Sequence, residues 1–196
     1  MRWTSCAAGA ILSLLPALAI AQTTPSPAST PSPTTPPSAT VGSAPGATAG
    51  AAELSGADRR FIDKATIGGT TEIQAGQLAA TQAGSDPVKQ IGQHMATDHQ
   101  DADSKLKAIA DADGIQRPAG PDAAGSKQIA VLQKLHGQKF DQQYVKDEIT
   151  AHKQTIALFK TEAASGKNAQ LKQFAADTLP TLQQHLDAFQ QLNGKS

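Results

Sequence analysis

Four stretches of this chain repeat apolar or small residues at alternating spacings of three and four, and none alternates them at a spacing of two. Such spacing places one side chain per turn on a single stripe of a helix. A striped helix can be buried only by packing that stripe against other helices. The first seam reads Ile62, Ala65, Gly69, Glu72, Gly76, Ala79 and Ala83, and the second Val88, Ile91, Met95, His99, Ala102, Leu106 and Ile109. The third is Val145, Ile149, His152, Ile156, Phe159 and Ala163, and the fourth Leu171, Ala175, Thr178, Leu182, His185, Phe189 and Leu192. β-Branched and aromatic residues are sparse while Ala and Gln are plentiful, so helix is the regular structure to expect.

Caps and breakers bound these helices. The first is expected from a cap at Ser55 or Asp58 to about Ala83, where Gly84-Ser85-Asp86-Pro87 makes a short turn and sets Pro87 at the next helix start. The second ends near Asp113, before Gly114. The third is expected from about Lys139 to Ala164, before Ser165-Gly166, and the fourth from about Asn168 to Leu192 with a kink at Pro180. Two of the connections are tight and pair their helices antiparallel. The middle one, Gly114 to Gln138, is long and carries Ile129, Leu132 and Leu135 as a candidate short helix. A long crossover between two helical hairpins is the connectivity of ferritin-like folds. The expected fold is therefore an all-α, ferritin-like antiparallel four-helix bundle with a long crossover between the second and third helices, spanning residues 53–196.

Two segments precede it. Arg2 followed by an apolar run from Ala7 to Ile20 and a small-x-small site at Ala19-Ile20-Ala21 reads as a signal peptide over residues 1–21. The run is short for a bilayer and Pro16 interrupts it, so no transmembrane segment is expected in the mature chain. Residues 22–52 form an uncharged Pro/Ser/Thr/Ala-rich stretch expected to be disordered, a spacer that could associate the domain with the cell envelope. The chain is thus read as exported, with the periplasm first and the outer surface or medium as alternatives. Its single cysteine, Cys6, falls in the signal peptide, which excludes disulfides and thiolate chemistry from the mature protein. With 17 basic and 17 acidic residues and no Lys/Arg cluster, the chain lacks the concentrated positive surface that nucleic acid requires.

Each seam carries one residue able to ligate a metal: Glu72, His99, His152 and His185. Each lies at a similar depth, about fourteen residues past its expected helix start, so mid-helix positions rising about 1.5 Å per residue meet near mid-bundle. Imidazoles with one carboxylate suit a single transition ion such as zinc, iron, copper or manganese. Asp98, Glu148 and Tyr144 lie close in sequence to the seam histidines and are candidate outer-shell partners. The competing reading is a metal-free Glu–His hydrogen-bond network or simple solvation. His94 and His136 fall off the seams and read as surface residues. Gly68, Gly69 and Gly76 weaken the first helix by about 1 kcal/mol each relative to Ala, which points to close helix approach or to room around a ligand. No nucleophile elbow, phosphate loop or haem-attachment motif is present.

The stretches FIDKATIGGTTEIQAGQLA (Phe61 to Ala79), VKQIGQHMATDHQDADSKL (Val88 to Leu106), LHGQKFDQQYVKDEITAHKQTIALF (Leu135 to Phe159) and LKQFAADTLPTLQQHLDAF (Leu171 to Phe189) resemble a bacterial family, the domain of unknown function 4142, often described as exported or outer-membrane proteins. The resemblance covers the folded part and implies a ferritin-like bundle with Glu72, Asp98-His99, His152 and His185 as its signature polar positions. It brings no biochemistry with it. Di-iron ferritins use Glu-x-x-His on two helices, whereas Ala96 and Leu182 stand three residues before His99 and His185, so one metal is expected and not two. Three functions stay open: a metal-binding module, a ferritin-like oxidase or peroxide-consuming enzyme, and a metal-free structural or envelope-interaction bundle.

Overall fold

The computed structural model describes residues 54–194; the expected signal peptide and Pro-rich segment lie outside them. Five helices follow one another: α1 (Gly56–Gln82), α2 (Asp86–Ala112), α3 (Ala123–Leu132), α4 (Gly137–Ser165) and α5 (Ala169–Asn193). The described residues contain no strand, and none of their helices is long and apolar enough to cross a membrane. The short helix expected in the middle connection exists as α3, which ends before Leu135.

Local chemistry explains the ends. Ser55 caps α1 in a reciprocal box with Asp58, each side chain accepting from the other's backbone N–H. Asp122 caps α3 and Asn168 caps α5. Ser85 makes no side-chain cap on α2. Asp141 of α4 instead accepts from Gly84 N at 2.8 Å and Ser85 N at 3.0 Å, tying the α1–α2 turn to the opposite hairpin. Helix α5 runs unbroken through Pro180, whose missing N–H deprives the Ala176 carbonyl of its helical donor.

The four long helices form a ring, α1 packing on α2, α2 on α5, α5 on α4 and α4 on α1, with α3 laid across α1 and α4. Cross-contacts run in opposite sequence directions within each hairpin. Glu72 meets His99 while Gly76 meets Gly92; Phe159 meets Phe174 while Tyr144 meets Phe189. Both hairpins are therefore antiparallel. One end of the core is built on Phe61, edge-on to both Phe159 and Phe174, together with Leu106, Ile156 and Leu182. The other end gathers Phe140, Tyr144, Phe189, Met95 and Leu132. The polar seam residues lie between these two apolar layers.

The glycines of α1 serve two purposes. A Cβ on Gly76 would lie 2.6 Å from the Gly92 carbonyl oxygen, and one on Gly92 would lie 2.5 Å from Ala79 Cβ, so the two backbones touch at this pair. Around Gly68 and Gly69 a Cβ would meet nothing within 4 Å. Gly92→Ala is thus expected to lower stability by about 1–3 kcal/mol through overpacking. Gly69→Ala should raise it by about 0.5–1 kcal/mol through helix propensity. Urea denaturation of the two variants beside the parent chain reads both signs.

Candidate metal centre

Glu72, His99, His152 and His185 are all buried and face one another across the middle of the ring. The imidazole ring centroids of His99, His152 and His185 are 5.5 to 5.8 Å apart. One ring nitrogen from each of the three lies within 4.8 Å of the other two. Glu72 does not join that triad. Its Oε2 is 3.2 Å from His99 Nδ1 and its Oε1 is 3.6 Å from His152 Nδ1, and it groups with Glu148 and His152 as a second ligand-capable set.

Each imidazole is held from one side. His99 Nδ1 faces Glu72, His152 Nδ1 donates to the Glu148 carbonyl oxygen at 2.9 Å, and His185 Nε2 donates to Asp98 Oδ2 at 2.9 Å. The opposite nitrogens, His99 Nε2, His152 Nε2 and His185 Nδ1, are buried with no partner in the protein. An imidazole whose one nitrogen donates to an oxygen presents a lone pair on the other, and this is how histidines are set up to bind metal. Asp98, whose side chain is 40 % exposed, reaches across to α5 and orients His185, not its neighbour His99. Glu148, expected as an outer-shell group, is fully buried 3.5 Å from His152 Nδ1, and the buried Tyr144 lies one turn before it.

Electrostatics separate the cluster into two halves. Burial lowers His99 well below the ordinary histidine range, helped by its neighbours His152 and His185. Burial also lowers His185, against the opposing hydrogen bond to Asp98. Both rings are therefore neutral, the form that ligates. In the other half, burial pushes the Glu72 and Glu148 carboxyls up, and His152 is pulled up because its contacts with Glu148 and Glu72 outweigh its burial. These three groups share protons as a unit.

A cavity of about 40 Å³ opens beside the triad, lined by Glu72, Asp98, His99 and His185 and by Gly68 and Gly69 of α1. It is large enough for an ion or a water, and it accounts for the open space around those two glycines. His94 and His136 are exposed, as their positions off the seams imply.

The fold and site define a helical bundle with a buried histidine–carboxylate core. Residues 43–192 match the family model described as "Domain of unknown function (DUF4142)", and the chain belongs to that family. No curated protein matches it. Among solved structures it is similar to the crystal structure of a DUF305 fragment from Deinococcus radiodurans, with a TM-score of 0.65 and 9 % identity over 73 % of this chain and 99 % of that one. At that identity the likeness concerns the fold alone.

Sequence patterns gave no sign of a second buried acid pair at the far end of the bundle. Asp58 accepts from Lys167 N at 2.8 Å and Asn168 N at 3.2 Å as well as from Ser55, joining the start of α1 to the α4–α5 turn. Burial pushes its carboxyl up, but these bonds outweigh burial and hold it below the ordinary range. Glu162 of α4 faces it, with Oε1 buried and unpartnered. Burial and the Asp58 charge push Glu162 up to about 7, against a weaker pull from Lys172. A carboxyl raised from 4.5 contributes stability that is complete below pH 4.5 and lost as pH rises through about 7. Glu162→Gln keeps a donor toward Asp58 at every pH. The difference in urea midpoint between variant and parent is expected to shift in the variant's favour from pH 5 to pH 8, and a constant difference would contradict the assignment.

Proposed function

We propose that the chain is an exported, ferritin-like bundle that binds a transition-metal ion through His99, His152 and His185, with Glu72 and Asp98 fixing the rings. The observation that carries this reading is the triad of unpartnered, buried imidazole nitrogens, each opposed on its other nitrogen by an oxygen. No protein group satisfies those nitrogens, so they are available to an ion. Three imidazoles suit zinc, copper, iron, nickel or cobalt, and manganese less well. The ion would supply a Lewis-acid or redox centre, and the protein residues supply orientation and exclusion of bulk water.

An enzyme is the second reading, favoured by one specific feature. Three nitrogen donors leave a tetrahedral ion one position short, and the cavity beside the triad offers space there for water, dioxygen or peroxide. Export rests on the N-terminal sequence, with the uncharged segment before the bundle as an envelope-facing spacer.

Elemental mass spectrometry of the protein, purified without a His-tag and reconstituted with zinc, iron, copper and manganese in turn, tests the triad. Retention of an ion that His99→Ala, His152→Ala and His185→Ala each lose is the expected result; no bound ion from any of the four metals would overturn it. Asp98→Asn should weaken affinity about 10- to 100-fold without unfolding the chain, since it leaves His185 in place but loosely held.

A further inference from the structure

The carboxylate half of the cluster holds more unpartnered oxygen than the imidazole triad has use for. Both oxygens of Glu148, Oε1 of Glu72 and the Tyr144 hydroxyl are buried without a hydrogen-bond partner. Tyr144, Glu148 and His152 follow at intervals of one turn on the same face of α4, all fully buried, and Glu72 faces them from α1. Two buried carboxylates side by side repel unless a cation or protons stand between them. His152 Nδ1, 3.6 Å from Glu72 Oε1 and 3.5 Å from Glu148 Oε2, offsets part of that repulsion, but Glu148 Oε1 and the Tyr144 hydroxyl stay unpartnered.

Donors bound to one ion at about 2.0–2.3 Å lie no more than about 4.6 Å apart. The cluster divides into two sets whose potential donor atoms lie within 4.8 Å of one another, close to that limit. His99, His152 and His185 form one mutually close set, while Glu72, Glu148 and His152 form another, with only His152 common to both. The first set is all nitrogen. In the second, two carboxylates and the nearby phenol supply oxygen, which selects harder ions such as manganese or iron.

We infer that a second cation of the oxygen-preferring transition-metal class binds between Glu72, Glu148 and Tyr144, next to His152 and adjacent to the triad ion. The inference rests on the triad reading for its neighbour but uses different donors. It makes the core a two-ion centre whose carboxylates come from α1 and α4, with no Glu-x-x-His pair.

The test loads the full chain with one equivalent of zinc and titrates manganese(II), following the loss of the free-manganese magnetic resonance signal. About one manganese per zinc-loaded chain is expected, with at least about tenfold weaker uptake in Glu148→Gln while zinc is retained. Ferric iron in place of manganese should give a visible tyrosinate absorption band that Tyr144→Phe abolishes. Zinc bound with no manganese taken up and no such band would overturn the second position and leave the triad standing. Manganese taken up equally by the parent and Glu148→Gln would also overturn it, since the ion would then sit elsewhere. Manganese bound without zinc would sink the triad while sparing the carboxylate position, and binding of neither metal would remove both.

Discussion

Desolvation of ionisable side chains at mid-bundle is the constraint on which the rest of this structure depends. Glu72, His99, Glu148, His152 and His185 are taken out of water together, and a buried carboxylate or imidazole is tolerated only with a partner. Part of the demand is met inside the protein, by Asp98 against His185, by Glu72 against His99 and by the Glu148 carbonyl against His152. The remainder is not. A core that needed polar groups only to fix helix register could have used one such pair, whereas eight buried side-chain atoms are left without partners among the described residues, seven of them in this cluster or at Tyr144 beside it. That excess is the feature that sets this core apart from one whose polar groups only fix register.

The scaffold meets this demand by fixing helix positions at points away from the cluster. Gly76 and Gly92 bring the α1 and α2 backbones into contact one turn from Glu72, so that a short carboxylate can reach His99. Asp141 ties the α1–α2 turn to α4, and Asp58 ties the start of α1 to the start of α5. Arg117 in the middle connection bridges Asp103 of α2 at 2.6 Å and Thr66 of α1 at 3.2 Å. Each tie links two different helices, and together they limit the sliding that would pull the buried polar groups out of register.

Periodicity made the helices and the convergence of Glu72, His99, His152 and His185 legible, because a seam position must face the core wherever its helix goes. It could not say which nitrogen of a ring is free or which carboxylate holds which histidine. Asp98 shows why: adjacency in sequence suggested His99, but consecutive helical residues point about 100° apart, and Asp98 instead faces α5. Glu148 was visible only as a neighbour of His152, since a glutamate one position off the seam reads as boundary. Its burial follows from the width of the apolar stripe, which takes in Phe140, Tyr144 and Glu148 beside Val145 and His152. The Asp58–Glu162 pair is a contact between helix ends far apart in the chain, and no local pattern encodes it.

The two halves of the core also differ in what can reach them. His99 and His185 border a cavity walled on one side by Gly68 and Gly69, where α1 offers no side chain to close it. The Tyr144 side of the carboxylate half is packed against Phe140 and Phe189 in the dense apolar layer at the other end of the core. Exchange with solvent is therefore easier on the imidazole side, and Asp98, half in water and bonded to His185, stands at that side's edge. A bound ion and any small ligand would meet on the glycine side of His99 and His185. On the opposite side, Glu148 would compensate charge in the packed interior, where it is fully buried. The same four helices thus place His99, His185 and Glu72 against a cavity and pack Glu148 and Tyr144 into the apolar layer on the other side of His152.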